Sequence, residues 1–276
     1  MGDADQVSRW LGRLSPRRRL FVGGVAALVA VIVIAIVVSV LVSGGDGQQA
    51  PPATGTPRQD RPGPVLLVPG YGGSRGSLSA LARRIRAAGR TATVLHLPGN
   101  GTGSLVADAG VLNAAVNRAL RGAPSVDVIG YSAGGVTTLL WARQDGGVHK
   151  ARRVITLGSP FHGTELASAA EAFVPGACPA ACRQLVPDSR LLTRLDATAV
   201  PSRPRWLSLW STGDTTVTPP DSARLAGALN VPIQSVCPGV QVSHSQLPTN
   251  PAVTAMVLQA LGSGPVRMPT ASDCAG

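Results

Sequence analysis

Aromatic residues are scarce in this chain of 276, at 3%, and charged residues reach only 14%. A core must therefore be packed mainly by Leu, Val, Ile and Ala, and an apolar content of 44% is enough to build one. Lysine is nearly absent. Lys150 is the single one, so arginine carries almost all of the formal net charge of +11. Beyond the N-terminus the arginines are scattered and form no stripe, which argues against a nucleic-acid partner. No two of the four cysteines, Cys178, Cys182, Cys237 and Cys274, stand in a Cys-x-x-Cys spacing, so nothing points to a zinc site. No Gly-Lys-Ser/Thr follows the glycines at 70–76, which removes a phosphate-cradling loop. No internal repeat is visible.

One long apolar run is present. Phe21 to Val42 carries no charge, and its 22 residues at about 1.5 Å each span roughly 33 Å as a helix, against a bilayer core of about 30 Å. A cleaved signal peptide has a shorter apolar region, and no Ala-x-Ala site follows. Five arginines (Arg9, Arg13, Arg17, Arg18 and Arg19) precede the run, whereas Gly44, Gly45 and Asp46 follow it. This asymmetry predicts a cytoplasmic segment 1–20, a signal-anchor helix 21–42, and everything later outside the cytoplasm. Arg18-Arg19-Leu20-Phe21-Val22 also resembles a twin-arginine export signal, which leaves secretion after cleavage as the alternative. Residues 43–63, rich in Gly, Pro, Gln and Thr, read as a flexible linker. In an exported domain an even number of cysteines suggests disulfides. Cys178–Cys182 with Cys237–Cys274 is the preferred of three pairings, and free buried thiols are the alternative.

From residue 64 to 276, short β-type runs alternate with helical stretches. Strands are expected at Val65–Val68, Thr91–Leu97, Val126–Gly130, Arg153–Leu157, Trp206–Trp210 and Pro232–Val236. Helical spacing runs through Ser77–Ala88, residues 104–121, Ala133–Arg143 and Pro251–Leu261. Strands joined through helices of ten or more residues mean crossover connections and a mostly parallel sheet flanked by helices, an α/β fold. Residues 163–204 break this rhythm with prolines and two cysteines. They form either a cap or lid over the strand ends or a structural loop stapled by the cysteines.

Gly130-Tyr131-Ser132-Ala133-Gly134 is G-x-S-x-G, placed between a strand and a helical run. This context marks a nucleophile elbow, where glycines two before and two after the serine avoid collisions and the helix N-terminus faces developing negative charge. Ser132 is the candidate nucleophile. The oxyanion formed by its attack needs preorganised N–H donors. Ala133 follows the nucleophile, and Tyr71 lies in the glycine-rich loop Val68-Pro69-Gly70-Tyr71-Gly72-Gly73, so both are candidates. Chain order then requires an acid and a histidine after Ser132. His149 precedes a strand and so sits at the wrong sheet edge, and His162 precedes every suitable acid and reads as site wall or loop structure. His244, after the last strand, is the expected base. Asp214, in the turn after Trp210, is the expected acid. Asp188 and Asp196 lie in the excursion, and Asp221 reads as a helix N-cap.

Together these residues resemble a bacterial secreted lipase/esterase of the α/β-hydrolase superfamily over residues 64–262. The resemblance rests on Val68–Gly73, the Gly130–Gly134 elbow, Gly158-Ser159-Pro160-Phe161-His162-Gly163-Thr164, Gly213-Asp214-x-x-Val217 and His244. It implies the α/β-hydrolase fold and a Ser–His–Asp mechanism through an acyl-enzyme, with no metal or organic cofactor. Pro69-Gly70 stands where many relatives have His-Gly, and the cap is short. The expected activity is hydrolysis of carboxylic esters, lipid esters first among them, by an enzyme held to the membrane through its N-terminal helix. An acyltransferase using the same triad and an inactive surface binding module are the alternatives.

Overall fold

A computed structural model describes residues 28, 31–34, 55–73, 75–173, 176 and 178–274. The chain divides into two compact units, Met1–Pro52 and Ala53–Gly276. Leu28 and residues 31–34 are helical and exposed. The rest of the expected anchor at 21–42, and all of segment 1–20, lie outside the described residues. Among those that are described, no helix is long and apolar enough to cross a membrane.

The second unit is built on a parallel sheet. Its strands are β1 (Val65–Val68), β2 (Ala92–Val94), β3 (Val126–Tyr131), β4 (Ala151–Leu157), β5 (Arg205–Trp210) and β6 (Leu229–Pro232). Their spatial order is β2-β1-β3-β4-β5-β6. Helices α1 (Arg75–Ala87), α2 (Leu105–Ala119), α3 (Ala133–Gln144), α4 (Glu165–Phe173), α5 (Ala180–Gln184), α6 (Arg190–Asp196), α7 (Ile233–Val236) and α8 (Pro251–Leu261) follow in chain order. The central strands β1, β3 and β4 are buried along their whole length. Helices cover both faces, which is why the strands read as near-continuous apolar runs. On one face α2, α3 and the 163–204 segment pack through Leu112, Leu139, Trp141 and Leu192. On the other, α1 and α8 pack through Leu78, Ile85, Met256 and Val257.

Two expected strands are corrected. The last strand is Leu229–Pro232, and Ile233–Val236 forms one helical turn instead. A short apolar run fits either state, and Pro232, with no N–H, occupies the strand's final position, where the helix begins. β2 stops at Val94, and Pro98–Gly101 forms a 3₁₀ turn through two left-handed residues, Gly99 and Asn100.

A buried ionic network ties the amino edge of the sheet. The Asp127 carboxylate accepts from Arg152 Nε at 2.9 Å and from Arg90 Nη2 at 2.7 Å. Arg152 is fully buried and also donates to the carbonyls of Gln59, Leu261 and Gly262. Arg153 donates to the carbonyls of Ala260 and Gly264, and burial, reinforced by neighbouring Arg152, pushes it down to about 10. These arginines cap the free carbonyls at the end of α8. Gln59 also donates to Arg152 O, and Gly63 O accepts from Arg90. The end of the expected linker is thus packed against the domain, ahead of residue 64.

Both disulfides are present in the preferred pairing, Cys178–Cys182 and Cys237–Cys274. The 163–204 segment supplies α4, α5 and α6, and its Ala167, Ala181, Leu185 and Leu191 are buried. The segment packs into the domain and contributes to its core.

Candidate active site

Ser132 sits between the end of β3 and the start of α3 with φ 53° and ψ −128°. A non-glycine residue there carries strain on the order of 1–3 kcal/mol, which the surroundings must hold. Two backbone bonds do so: Ser132 N–H donates to Leu157 O at 2.8 Å, and Gly135 N–H donates to Ser132 O at 2.9 Å. The glycines of the pentapeptide are required by close approach. A β-carbon on Gly130 would lie 2.5 Å from Gly135 Cα, and one on Gly134 would lie 2.3 Å from Val68 O.

β1 runs beside β3 with Val68 opposite Gly130, so the loop after β1 reaches the same edge as the elbow. Gly73 N–H donates to Gly70 O at 3.1 Å, closing a tight turn around Tyr71. A β-carbon on Gly70 would lie 2.8 Å from Ser132 Cβ, a measure of how near this backbone comes to the serine. The Ala133 N–H, at the first position of α3, has no partner within its own helix. Tyr71 and Ala133 thus flank Ser132 from two sides.

Asp214 and His244 are brought together from two loops 30 residues apart. Asp214 follows β5 in a turn in which its N–H donates to Ser211 O at 3.2 Å. Its Oδ1 accepts from the N–H groups of Thr216 and Val217 at 2.8 and 2.9 Å. Its Oδ2 accepts from His244 Nδ1 at 2.6 Å. Both residues are buried. With Oδ1 occupied by two donors, the carboxylate fixes the imidazole proton on Nδ1 and leaves Nε2 free to accept one. His244 opens a 3₁₀ turn entered through a Ser243–Gln246 capping box.

Two supports of this pair were not foreseen from the sequence. Tyr131, the variable residue before the serine, donates its hydroxyl to His244 O at 3.2 Å, and its ring lies 5.2 Å from the imidazole. Burial and the negative charge of Asp214 push the Tyr131 phenol up to about 12, so it stays a neutral donor. Gly158, with φ 54°, forms the floor beneath the pair. A β-carbon there would lie 3.2 Å from His244 Nδ1 and 3.3 Å from Asp214 Oδ2. In the sequence its signal was its place directly after a buried strand, at the head of the Gly158–Thr164 stretch that carries the resemblance.

Ser132, His244, Gly70 and Tyr71 line one cavity of about 250 Å³, walled by Pro160, Thr164, α4, Cys182, Leu185 and Val217. The 163–204 segment thus forms part of the site wall. The remaining candidates fall elsewhere. His149 lies in a 3₁₀ turn before β4, at the amino edge. His162 braces a loop, with Nδ1 3.1 Å from Ser222 O and Nε2 3.2 Å from Asp196. With Asp188 and Asp196 it lines a neighbouring cavity of about 220 Å³. Asp221 is not an N-cap: it lies inside the 3₁₀ turn Pro220–Ala223, whose cap position is Pro219. Asp108, on α2, is buried, and its Oδ2 has no hydrogen-bond partner among the described residues. Burial pushes its carboxyl up to about 6.

A helix-flanked parallel sheet, with a strained serine at a strand-to-helix elbow and a histidine–carboxylate pair beside it at the carboxyl edge, defines the α/β-hydrolase class. The family model described as "alpha/beta hydrolase of unknown function (DUF915)" matches residues 122–263, and the chain belongs to that family. A broader model, described as "alpha/beta hydrolase fold", matches residues 63–177. Among solved structures, Aspergillus fumigatus lipase B is similar with a TM-score of 0.63 and 21% identity, over 75% of this chain and 54% of that one. The chain therefore spans about half the length of that fungal lipase. Mature Bacillus licheniformis lipase BlEst2 matches with a TM-score of 0.53 and 19% identity, over 71% of this chain and 91% of that one. At these identities the likeness is one of fold. No curated protein matches the chain.

Proposed function

We propose that this protein is an exported serine hydrolase that cleaves carboxylic esters, lipid or acylglycerol esters foremost, with Ser132 as nucleophile, His244 as base and Asp214 as its orienting acid. The observation that carries this reading is that a strained elbow serine and His244, whose Nδ1 lies 2.6 Å from the buried Asp214, line a single cavity. In this mechanism Ser132 Oγ attacks the ester carbonyl carbon while its proton passes to His244 Nε2. The carbonyl oxygen becomes an oxyanion that accepts from the Ala133 and Tyr71 N–H groups. Collapse breaks the ester C–O bond, and His244 returns the proton to the leaving alcohol. Water then attacks the acyl-Ser132 ester, His244 takes its proton, and the carboxylic acid leaves with the serine restored.

The two disulfides support an oxidising, extracytoplasmic compartment. The uncharged run at 21–42 supports attachment by a single-pass anchor. The test is hydrolysis of p-nitrophenyl butyrate by the full chain beside Ser132→Ala. Turnover in the parent and a loss of at least a thousandfold in the variant are expected. Turnover that survives Ser132→Ala would contradict the assignment, and labelling of Ser132 without hydrolysis would favour acyl transfer to an alcohol.

A further inference from the structure

The cavity beside Ser132 is lined by apolar residues of the 163–204 segment, Leu166, Ala167, Ala170 and Leu185. The reacting carbonyl must place its oxygen toward Tyr71 and Ala133 and its leaving oxygen toward His244, so the acyl chain is left the direction of the cap. There the rim and the floor differ in exposure. Tyr71 and Leu166 are 42% and 56% exposed and form the mouth, whereas Ala167, Cys182 and Leu185 are 6%, 8% and 5% exposed and close the far side. The floor is tied down. Thr164 N–H donates to Leu185 O at 3.0 Å, and the Thr164 hydroxyl donates to Thr216 O at 2.8 Å, two residues from Asp214. Cys182 is held by its bridge to Cys178. The pocket is therefore pre-formed, and its volume limits what enters.

We infer that this protein selects esters of short to medium straight-chain acids, about six to eight carbons, and that Ala170 and Leu185 set that length. The inference rests on the ester-hydrolase reading and adds the substrate class. At roughly 30 Å³ for a methylene, a group about the size of a water in the liquid, a cavity of about 250 Å³ takes about eight carbons, less the share of the reacting carbonyl. A sixteen-carbon chain leaves half its length outside the mouth. The small side chain of Ala170, on the cavity side of α4, leaves space that a larger residue would fill. Leu185, at the end of α5, limits the chain from the other wall.

The experiment measures kcat/KM of the full chain for p-nitrophenyl esters from acetate to palmitate, in the parent, Ala170→Leu and Leu185→Ala. In the parent, kcat/KM should rise by up to about fourfold per methylene, peak between hexanoate and octanoate, and then fall. Ala170→Leu adds three carbons to the pocket and should move the peak about three carbons shorter. Leu185→Ala removes three and should move it about three longer. Should Leu185→Ala fail to fold, the shift in Ala170→Leu alone decides. A parent that peaks at palmitate, or a peak that stays in place in the variants, overturns the inference while leaving ester hydrolysis intact. A parent silent toward every ester overturns the hydrolase reading instead. The pocket is then judged by inactivation rates with alkylphosphonates of the same lengths, which must show the same peak and shifts or the inference falls with it.

Discussion

Asp214→Asn is the perturbation whose outcome the geometry determines most closely. Oδ1 is gripped by the N–H groups of Thr216 and Val217 at 2.8 and 2.9 Å. An asparagine must present its carbonyl oxygen there, because an amide nitrogen would face two donors. Its NH₂ group then replaces Oδ2, 2.6 Å from His244 Nδ1. A donor in that place forces Nδ1 to accept, and the imidazole proton moves to Nε2, the atom that has to receive the serine's proton. The ring stays in position in the wrong tautomer. Such a change costs about 10⁴-fold in turnover where it has been made in a serine protease triad, equivalent to about 5.5 kcal/mol of barrier. Steady-state kinetics with p-nitrophenyl butyrate on the parent and variant, with thermal unfolding as a control for folding, checks this. A folded Asp214→Asn chain that keeps more than a tenth of parental kcat would refute the tautomer argument.

The remaining predictions follow from the supports of the site and the fold. Tyr131→Phe removes the hydroxyl bond to His244 O at 3.2 Å but keeps the ring; kcat should fall about threefold to tenfold with KM unchanged, read from the same assay. Asp108 has its carboxyl raised to about 6 from 3.8, so between those values the native state binds more protons than the unfolded one and stability falls as pH rises. The loss is complete above about pH 7 and amounts to about 1–2 kcal/mol after allowance for solvent screening. Asp108→Asn should abolish this slope, and urea unfolding at pH 4.5 and pH 8 compares the two chains. Asp127→Asn leaves the fully buried Arg152 without its counter-charge and should cost about 3–5 kcal/mol. The lowered Tm should come with unchanged kcat, since Asp127 lies at the sheet edge away from Ser132.

The parts of the site that share a short stretch of sequence were legible there. Gly130 to Gly134 carries its steric logic within five residues, and Asp214 and His244 are proposed from the chain order that such an elbow implies. What pairs across the fold was not. Tyr131 occupies a position where any residue satisfies the pentapeptide, and only its meeting with His244, 113 residues on, gives it a role. Gly158 heads a stretch that carries the family resemblance, yet only the fold shows that its missing side chain makes room for the Asp214–His244 pair. Asp127 sits in an apolar strand run, and only the pairing of β3 with β4, whose register shift passes over Arg152 and sets Arg153 opposite Asp127, brings the Arg152 guanidinium to its carboxylate. The last strand was misplaced by a few residues because Leu229 to Val236 is apolar enough for either state and Pro232 marks the break without saying which side is extended.

The central claim is that Ser132 is an activated nucleophile. Intact-mass measurement after treatment of the full chain with a fluorophosphonate, at neutral pH and beside Ser132→Ala, tests it most directly. One stoichiometric adduct is expected, mapped by peptide mass spectrometry to Ser132, absent from the variant and slowed in Asp214→Asn. A parent chain left unmodified, or one modified at another residue, would contradict it.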